Sequence, residues 1–459
     1  MKLLKLFSGI LLIFSFILNA NPLATNWQQE FHLDWDSVNL SDDIFWSSLT
    51  FPKNFKWGVA TKASDLEGTS THSGKFIQND YTINNPDREF DEGCDNWNDY
   101  IKDIELLKKL GVNQYRFNIP WEKIEPEEGQ FDEQAITHYI DLCKYLRKEN
   151  IEPIVCLFHF RLPLWFADQG RFEKSENMQK FIRFAQFVFD NLNKYVSTWI
   201  TYNEPIAYVM EAYHTAKYPP YRKGFFYLRQ AGTVLKNMLN AHVDIYQAFK
   251  EKNPEAQIGF VKMFHMLDSY QDLFAEKLII KGANHIIYDS IFEFFKTGHF
   301  NWFWLMHDYN PNATQALDYI GVNYYSHELI QATGYFSHKR LKAREYESKT
   351  ELGRAIYPEG LYRAILKAQE LNVPIYITEN GIADPNDSLR NEFIKKHLYI
   401  INCAINDGIP IKGYAYWTFM DKSGYGLYKF DPRNKSKILR SDAIPFVNFL
   451  AEQKLLNRV

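Results

Sequence analysis

Cysteine is scarce in this chain: Cys94, Cys143, Cys156 and Cys403 are the only four in 459 residues, and none form a CxxC pair. So few thiols in so long a chain exclude a disulfide framework and predict buried free thiols. There is no HExxH and no Cys/His cluster, so no metal is expected. No GxGxxG or P-loop glycine pattern follows any apolar run, the Gly-rich phosphate turn that a doubly wound open sheet would normally offer. No basic block occurs and the formal net charge is −4, so nucleic acid is not expected as a partner. Neither internal repeats nor a Pro- or Ser-rich linker divide the sequence, and residues 45–455 read as one domain.

What the chain has in quantity is aromatic surface: 11 Trp, 29 Tyr and 36 Phe. Aromatics fill cores, and they also make platforms on which sugar rings stack. The N-terminus carries Lys2 and Lys5, an apolar run from Leu6 to Leu18, and small residues at Ala20 and Ala24. This is a secretory signal pattern, shorter than an ordinary membrane span, and an uncleaved anchor is its alternative. Residues 1–24 are therefore expected to be a signal peptide or an N-terminal anchor. The protein is expected to be exported, periplasmic or secreted, or membrane-associated through this segment.

Eight short apolar runs recur along the chain: Phe55–Ala60, Asn113–Ile119, Glu152–Phe160, Thr198–Glu204, Gln257–His265, Asp318–Tyr325, Val373–Asn380 and Lys412–Phe419. Helical patterns separate most of them. One such pattern, "WNDYIKDIELLKKLG", stops at Gly111, a C-terminal helix signal. Eight strands alternating with helices predict an α/β fold, a (β/α)8 barrel. The longer connections 266–317 and 327–357 are expected at its mouth.

Active sites of such barrels lie at the C-terminal ends of the strands. Those ends hold Asp65 and Glu67, Arg116, His159 and Arg161, Asn203 and Glu204, Asn323 and Tyr325, Glu379 and Asn380, and Trp417 and Asp421. A single strand-end Glu is more often a rim salt bridge. Two of them facing each other across a mouth are what glycoside hydrolysis needs: one protonated acid and one ionised nucleophile, held at different pKa values. Arg116 can keep one carboxylate charged, and Tyr325 can donate a hydrogen bond to it.

From about Phe51 to Phe446 the chain resembles glycoside hydrolase family 1, the β-glucosidase and β-galactosidase group. The resemblance rests on "FPKNFKWGVATKASDLEG", "YRFNIPWEKIEP", "TYNEP", "GVNYY" and "ITENG". The TxNEP and TENG motifs, in this order and about 175 residues apart, are its most specific part. The resemblance implies Glu204 as general acid/base, Glu379 as nucleophile, and retention of anomeric configuration. It implies that Asn203 bonds the sugar 2-hydroxyl, His159 another ring hydroxyl, and Trp417 forms a stacking floor. Arg116, Asn323 and Tyr325 would position Glu379. No metal or cofactor is implied.

Three positions depart from the family pattern. Asp65 stands where a substrate-binding Gln is usual. Arg161 falls in "HFRLP" where the family has HWDLP. The Glu-Trp pair that grips the sugar's 4- and 6-hydroxyls is missing after Trp417, where the chain reads "YWTFMDKSGYGLYKFD". Within the family, "LFHFRLPLWFADQGRF" and "GRAIYPEGLYRAIL" resemble the branch that contains the galactolipid galactosyltransferase. The expected function is thus a retaining β-glycosidase acting on small β-glucosides or β-galactosides. The alternatives are a glycolipid transglycosylase using the same intermediate, and an inactive sugar-binding relative. The aromatic segments Phe225–Tyr227 and His299–Tyr309 are expected to pack on the barrel; the other reading has them contact a membrane surface or long aglycone.

Overall fold

A computed structural model describes residues 26–67, 76–77, 93–94, 96–334 and 337–456. The N-terminal segment 1–24 lies outside these residues. Among the described residues, no helix is long and apolar enough to cross a membrane.

Eight strands form a closed barrel: β1 (Lys56–Ala60), β2 (Gln114–Asn118), β3 (Glu152–Phe158), β4 (Thr198–Asn203), β5 (Gln257–Met263), β6 (Tyr319–Asn323), β7 (Ile375–Asn380) and β8 (Ile411–Trp417). Each pairs in parallel with its sequence neighbours, and β8 closes on β1. The eight runs read from sequence all become barrel strands, shorter by a residue or two at most ends. Parallel strands are buried on both faces, which is why they read as near-continuous apolar runs. Ile154, Cys156, Ile200, Val261 and Tyr319 fill the barrel interior. Their neighbours Val155, Leu157 and Trp199 point outward to the helices.

The helical layer includes α1 (Asn96–Leu110), α2 (Glu133–Lys148), α3 (Met178–Leu192), α4 (Leu228–Lys252), α5 (Ser290–Thr297), α6 (Glu359–Gln369), α7 (Arg390–Asn406) and α8 (Ile444–Leu456). Their ends follow local chemistry. Gly111 (φ +81°) takes the left-handed turn after α1. The Asp132 carboxylate accepts from the Gln134 and Ala135 amides at the start of α2. As expected, the cysteines are free, and three of the four are buried.

The connections that follow β5 and β6 build a small sheet from Met266–Ser269, His327–Gly334 and Ser337–Leu341. These are the longer connections expected at the mouth. The segment His299–Tyr309 folds as a hairpin with Phe300 and Trp302 fully buried. The expected packing fails at Phe225 and Phe226, which are 54% and 95% exposed. They sit on a short turn after the β4 connection, where Gly224 donates to the His214 carbonyl.

Candidate active site

At the end of β4 the chain turns sharply. Glu204 is left-handed (φ 48°, ψ 54°), and Pro205 opens the helix Pro205–Tyr213. A non-glycine residue in this region costs about 1–2 kcal/mol. The Glu204 amide is held by the Val261 carbonyl at 2.8 Å, so neighbouring strands impose the conformation. Proline has no N–H, so the ladder stops there. The result is a carboxyl aimed into the mouth and only 6% exposed.

Glu379 stands near the end of β7, 3% exposed. Its Oε1 accepts from Arg116 Nη1, and its Oε2 accepts from the Tyr325 hydroxyl at 2.7 Å. Arg116 is itself buried, and its other arm, Nη2, donates to Asn203 Oδ1 at 2.6 Å. Asn323 Nδ2 donates to Glu204 Oε1 at 2.6 Å and to Asn203 Oδ1 at 3.2 Å. One hydrogen-bonded chain thus joins the two carboxyl groups: Glu379, Arg116, Asn203, Asn323, Glu204. The Thr378 hydroxyl donates to Asn323 Oδ1 at 2.7 Å, which fixes the amide orientation.

The two carboxyl groups differ in surroundings. Burial, and then the nearby Glu379 charge, push Glu204 up to about 8 against the pull of Asn323 and Arg116. Glu204 therefore carries a proton at neutral pH. Arg116 supplies the countercharge to Glu379, and that pairing more than offsets burial and holds the guanidinium above its ordinary value. Burial, then the Glu379 charge, keep the Tyr325 hydroxyl protonated far above its usual range, so it remains a donor.

Around this pair lie groups fit to hold hydroxyls. Asn203 Nδ2 is buried and donates to no acceptor among the described residues. His159 is 6% exposed, and burial, with Arg116 and Lys62 nearby, keeps its imidazole neutral. Its ring lies 5.9 Å from Trp417, which is partly exposed at the end of β8. Gly381 is required here, because a Cβ would overlap the Trp417 carbonyl oxygen.

Asp65 stands apart. It lies on the turn Ala63–Leu66, pairs with Lys62 at 3.2 Å, and is 42% exposed. Glu67 is bound by Lys123 and Tyr139, and Arg161 by Glu122 at 3.0 Å. The connection after β8 closes on itself: the Asp421 carboxylate accepts from the Gly424, Tyr425 and Gly426 amides at 2.9–3.1 Å. Sequence reasoning missed Thr378 as a positioning group and this turn. Thr378 was legible only as the residue before Glu379.

Comparison with known proteins agrees with this fold. Residues 47–430 match the model of glycosyl hydrolase family 1. The β-glucosidase A of Thermotoga maritima is 26% identical over 449 residues, which is 88% of this chain and 98% of that protein. A chloroplastic galactolipid galactosyltransferase of Arabidopsis thaliana is 28% identical over 346 residues, covering 72% of this chain and 53% of the relative. The solved β-glycosidase of Pyrococcus horikoshii superposes with a TM-score of 0.79 at 31% identity, over 88% of this chain and 96% of that one. The chain, with its closed barrel of parallel strands and its facing glutamates, belongs to glycosyl hydrolase family 1 and is a glycoside hydrolase.

Proposed function

We propose that the protein is a retaining β-glycosidase acting on β-glucosides or β-galactosides by double displacement. The observation that carries this is the chain of hydrogen bonds from Glu379 to Glu204, which gives two carboxyl groups different partners. Glu379 attacks the anomeric carbon while the Glu204 proton moves to the glycosidic oxygen, and the carbon–oxygen bond to the leaving group breaks. A glycosyl ester on Glu379 results. Glu204, now a carboxylate, takes a proton from water as that water attacks the same carbon. The ester bond breaks, Glu379 is regenerated, and the sugar leaves with its original configuration. Asn203 Nδ2 bonds the 2-hydroxyl, an interaction that strengthens as the ring becomes oxocarbenium-like. His159 holds another hydroxyl and Trp417 stacks beneath the ring. The missing Glu-Trp pair leaves the sugar open between glucose and galactose.

A second reading is transfer of the glycosyl group to a sugar hydroxyl of a lipid head group in place of water. Two observations favour it: the likeness to a galactolipid galactosyltransferase and the exposed turn at Phe225–Tyr227. The exposed Phe226 is flanked in sequence by the exposed Arg222, Lys223 and Arg229, a pattern suited to an anionic lipid surface.

Incubation with an aryl β-glucoside and an aryl β-galactoside, with phenol and free sugar followed by NMR, tests both. Equal phenol and β-sugar supports hydrolysis. Phenol in excess of sugar supports transfer. An α-sugar as first product would rule out the double displacement.

A further inference from the structure

Between the ends of β5 and β6 lies a small cleft of about 40 Å³. Tyr325, whose hydroxyl donates to Glu379 at 2.7 Å, is among its lining residues, which puts the cleft one residue away from the reacting centre. It lies across the barrel from β1 and β2 in the closed strand order. His159 and Trp417, at the ends of β3 and β8, flank that opposite side. A sugar held there by His159 and Trp417 would direct its leaving group toward the cleft.

The charge of the cleft is one-sided. Its one carboxylate, Glu328, is taken up by Arg340, which donates from Nε at 2.7 Å. Of the lining cations, Lys342 and Arg354 form no ion pair with a carboxylate among the described residues. Lys342 Nζ donates to the Leu352 carbonyl at 3.0 Å and pairs with no carboxylate among the described residues. The Arg354 guanidinium lines the same cleft, and its side chain makes no hydrogen bond among them. His327 is charged but committed to Asp268 at 2.8 Å and Glu347 at 3.1 Å. The His265 ring has no hydrogen-bond partner among the described residues; burial, the largest influence, holds it down to about 4, so it is neutral with an N–H to offer. A guanidinium fork, an ammonium and an uncommitted N–H together suit one oxyanion.

We propose that this cleft binds an anionic group, a carboxylate, sulfate or phosphate, carried on the leaving-group side of the substrate. The proposal rests on the reading of Glu204 and Glu379 as the reacting pair. It assigns Lys342, Arg354 and His265 a role in selecting substrate, apart from the chemistry.

The test uses matched probes in the full chain carrying Glu379→Gln, which lacks the nucleophile and binds without turnover. Calorimetry at low salt compares 3-carboxyphenyl with 3-carbamoylphenyl β-glycosides, as glucosides and as galactosides. Two ion pairs to exposed cations give about a fivefold preference for the carboxylate. The preference is expected to vanish at 1 M salt, where the Debye length is ~3 Å. It is also expected to vanish when Lys342→Gln and Arg354→Gln are added. Equal affinities for the two probes, or a preference that survives both changes, would overturn the cleft assignment alone. The same preference for a 6-phosphoglycoside of a neutral phenol over its unphosphorylated form would place the anion on the sugar and also overturn it. If neither probe binds and the unmutated chain releases no phenol, the glycosidase reading itself falls, and this proposal with it.

Discussion

Glu204→Gln separates acid catalysis from everything else the site does. The substitution keeps side-chain volume, and its carbonyl can still accept from Asn323 Nδ2, which lies 2.6 Å from Glu204 Oε1. What it removes is the proton. With the carboxyl pushed up to about 8 by burial and by Glu379, roughly 90% of Glu204 is protonated at pH 7. General acid catalysis is worth about 10²–10⁴-fold, or ~3–5 kcal/mol of barrier. That loss applies to leaving groups that need the proton. The assay is kcat/KM, which reports the first step, across aryl glycosides of decreasing phenol acidity. Poor leaving groups should slow by about 10²-fold or more, while nitrophenols change little. The unmutated enzyme should lose kcat/KM about tenfold per pH unit above ~8, since the required form is the protonated one, and the variant should lose this alkaline limb. Equal slowing of all phenols, with the alkaline limb intact, would refute the acid role.

Other predictions follow from the same geometry. Arg116→Met strips partners from buried Glu379 and Asn203 together, so activity should vanish and urea unfolding should show a loss of about 3–5 kcal/mol. Asn203→Ala should lower kcat/KM strongly for ordinary glycosides but little for 2-deoxy glycosides, which lack the hydroxyl it bonds. His327 lies between Asp268 and Glu347; burial opposes its charge, but these carboxylates raise it to about 9. A folded-state value above the unfolded one of about 6.5 gives stability that is full below pH 6.5 and lost as pH rises through 9. The melting temperature should fall over that window, and His327→Gln should flatten the fall. Phe226→Asp should leave melting unchanged, because the ring is 95% exposed, yet reduce binding to anionic lipid vesicles if the transferase reading holds.

Much of this was legible because strand and catalytic signals are local. The apolar runs that became β1–β8 end in the polar residues that face the mouth, and Asn203-Glu204-Pro205 encodes its own sharp turn. What could not be read depends on long-range placement. Arg116 reaches Glu379 across 263 positions, and which oxygen it takes is set by barrel closure. Asp65 shares a strand end with the site, yet its pairing with Lys62 leaves it at the rim. Aromatic composition could not tell buried Trp302 from exposed Phe226, since each lies in an aromatic cluster in a connection. The cleft at Lys342 and Arg354 forms only because a hairpin after β6 folds back on the β5 connection.

The central claim is a covalent bond from the sugar to one particular oxygen-bearing side chain. An activated aryl 2-deoxy-2-fluoro-β-glycoside slows the second step and lets that ester accumulate. Mass spectrometry of the digested protein should then find one fluoroglycosyl group on the peptide containing "YITENG", at Glu379. A label on Glu204 or elsewhere, or turnover to an inverted sugar with no label at all, would contradict the account.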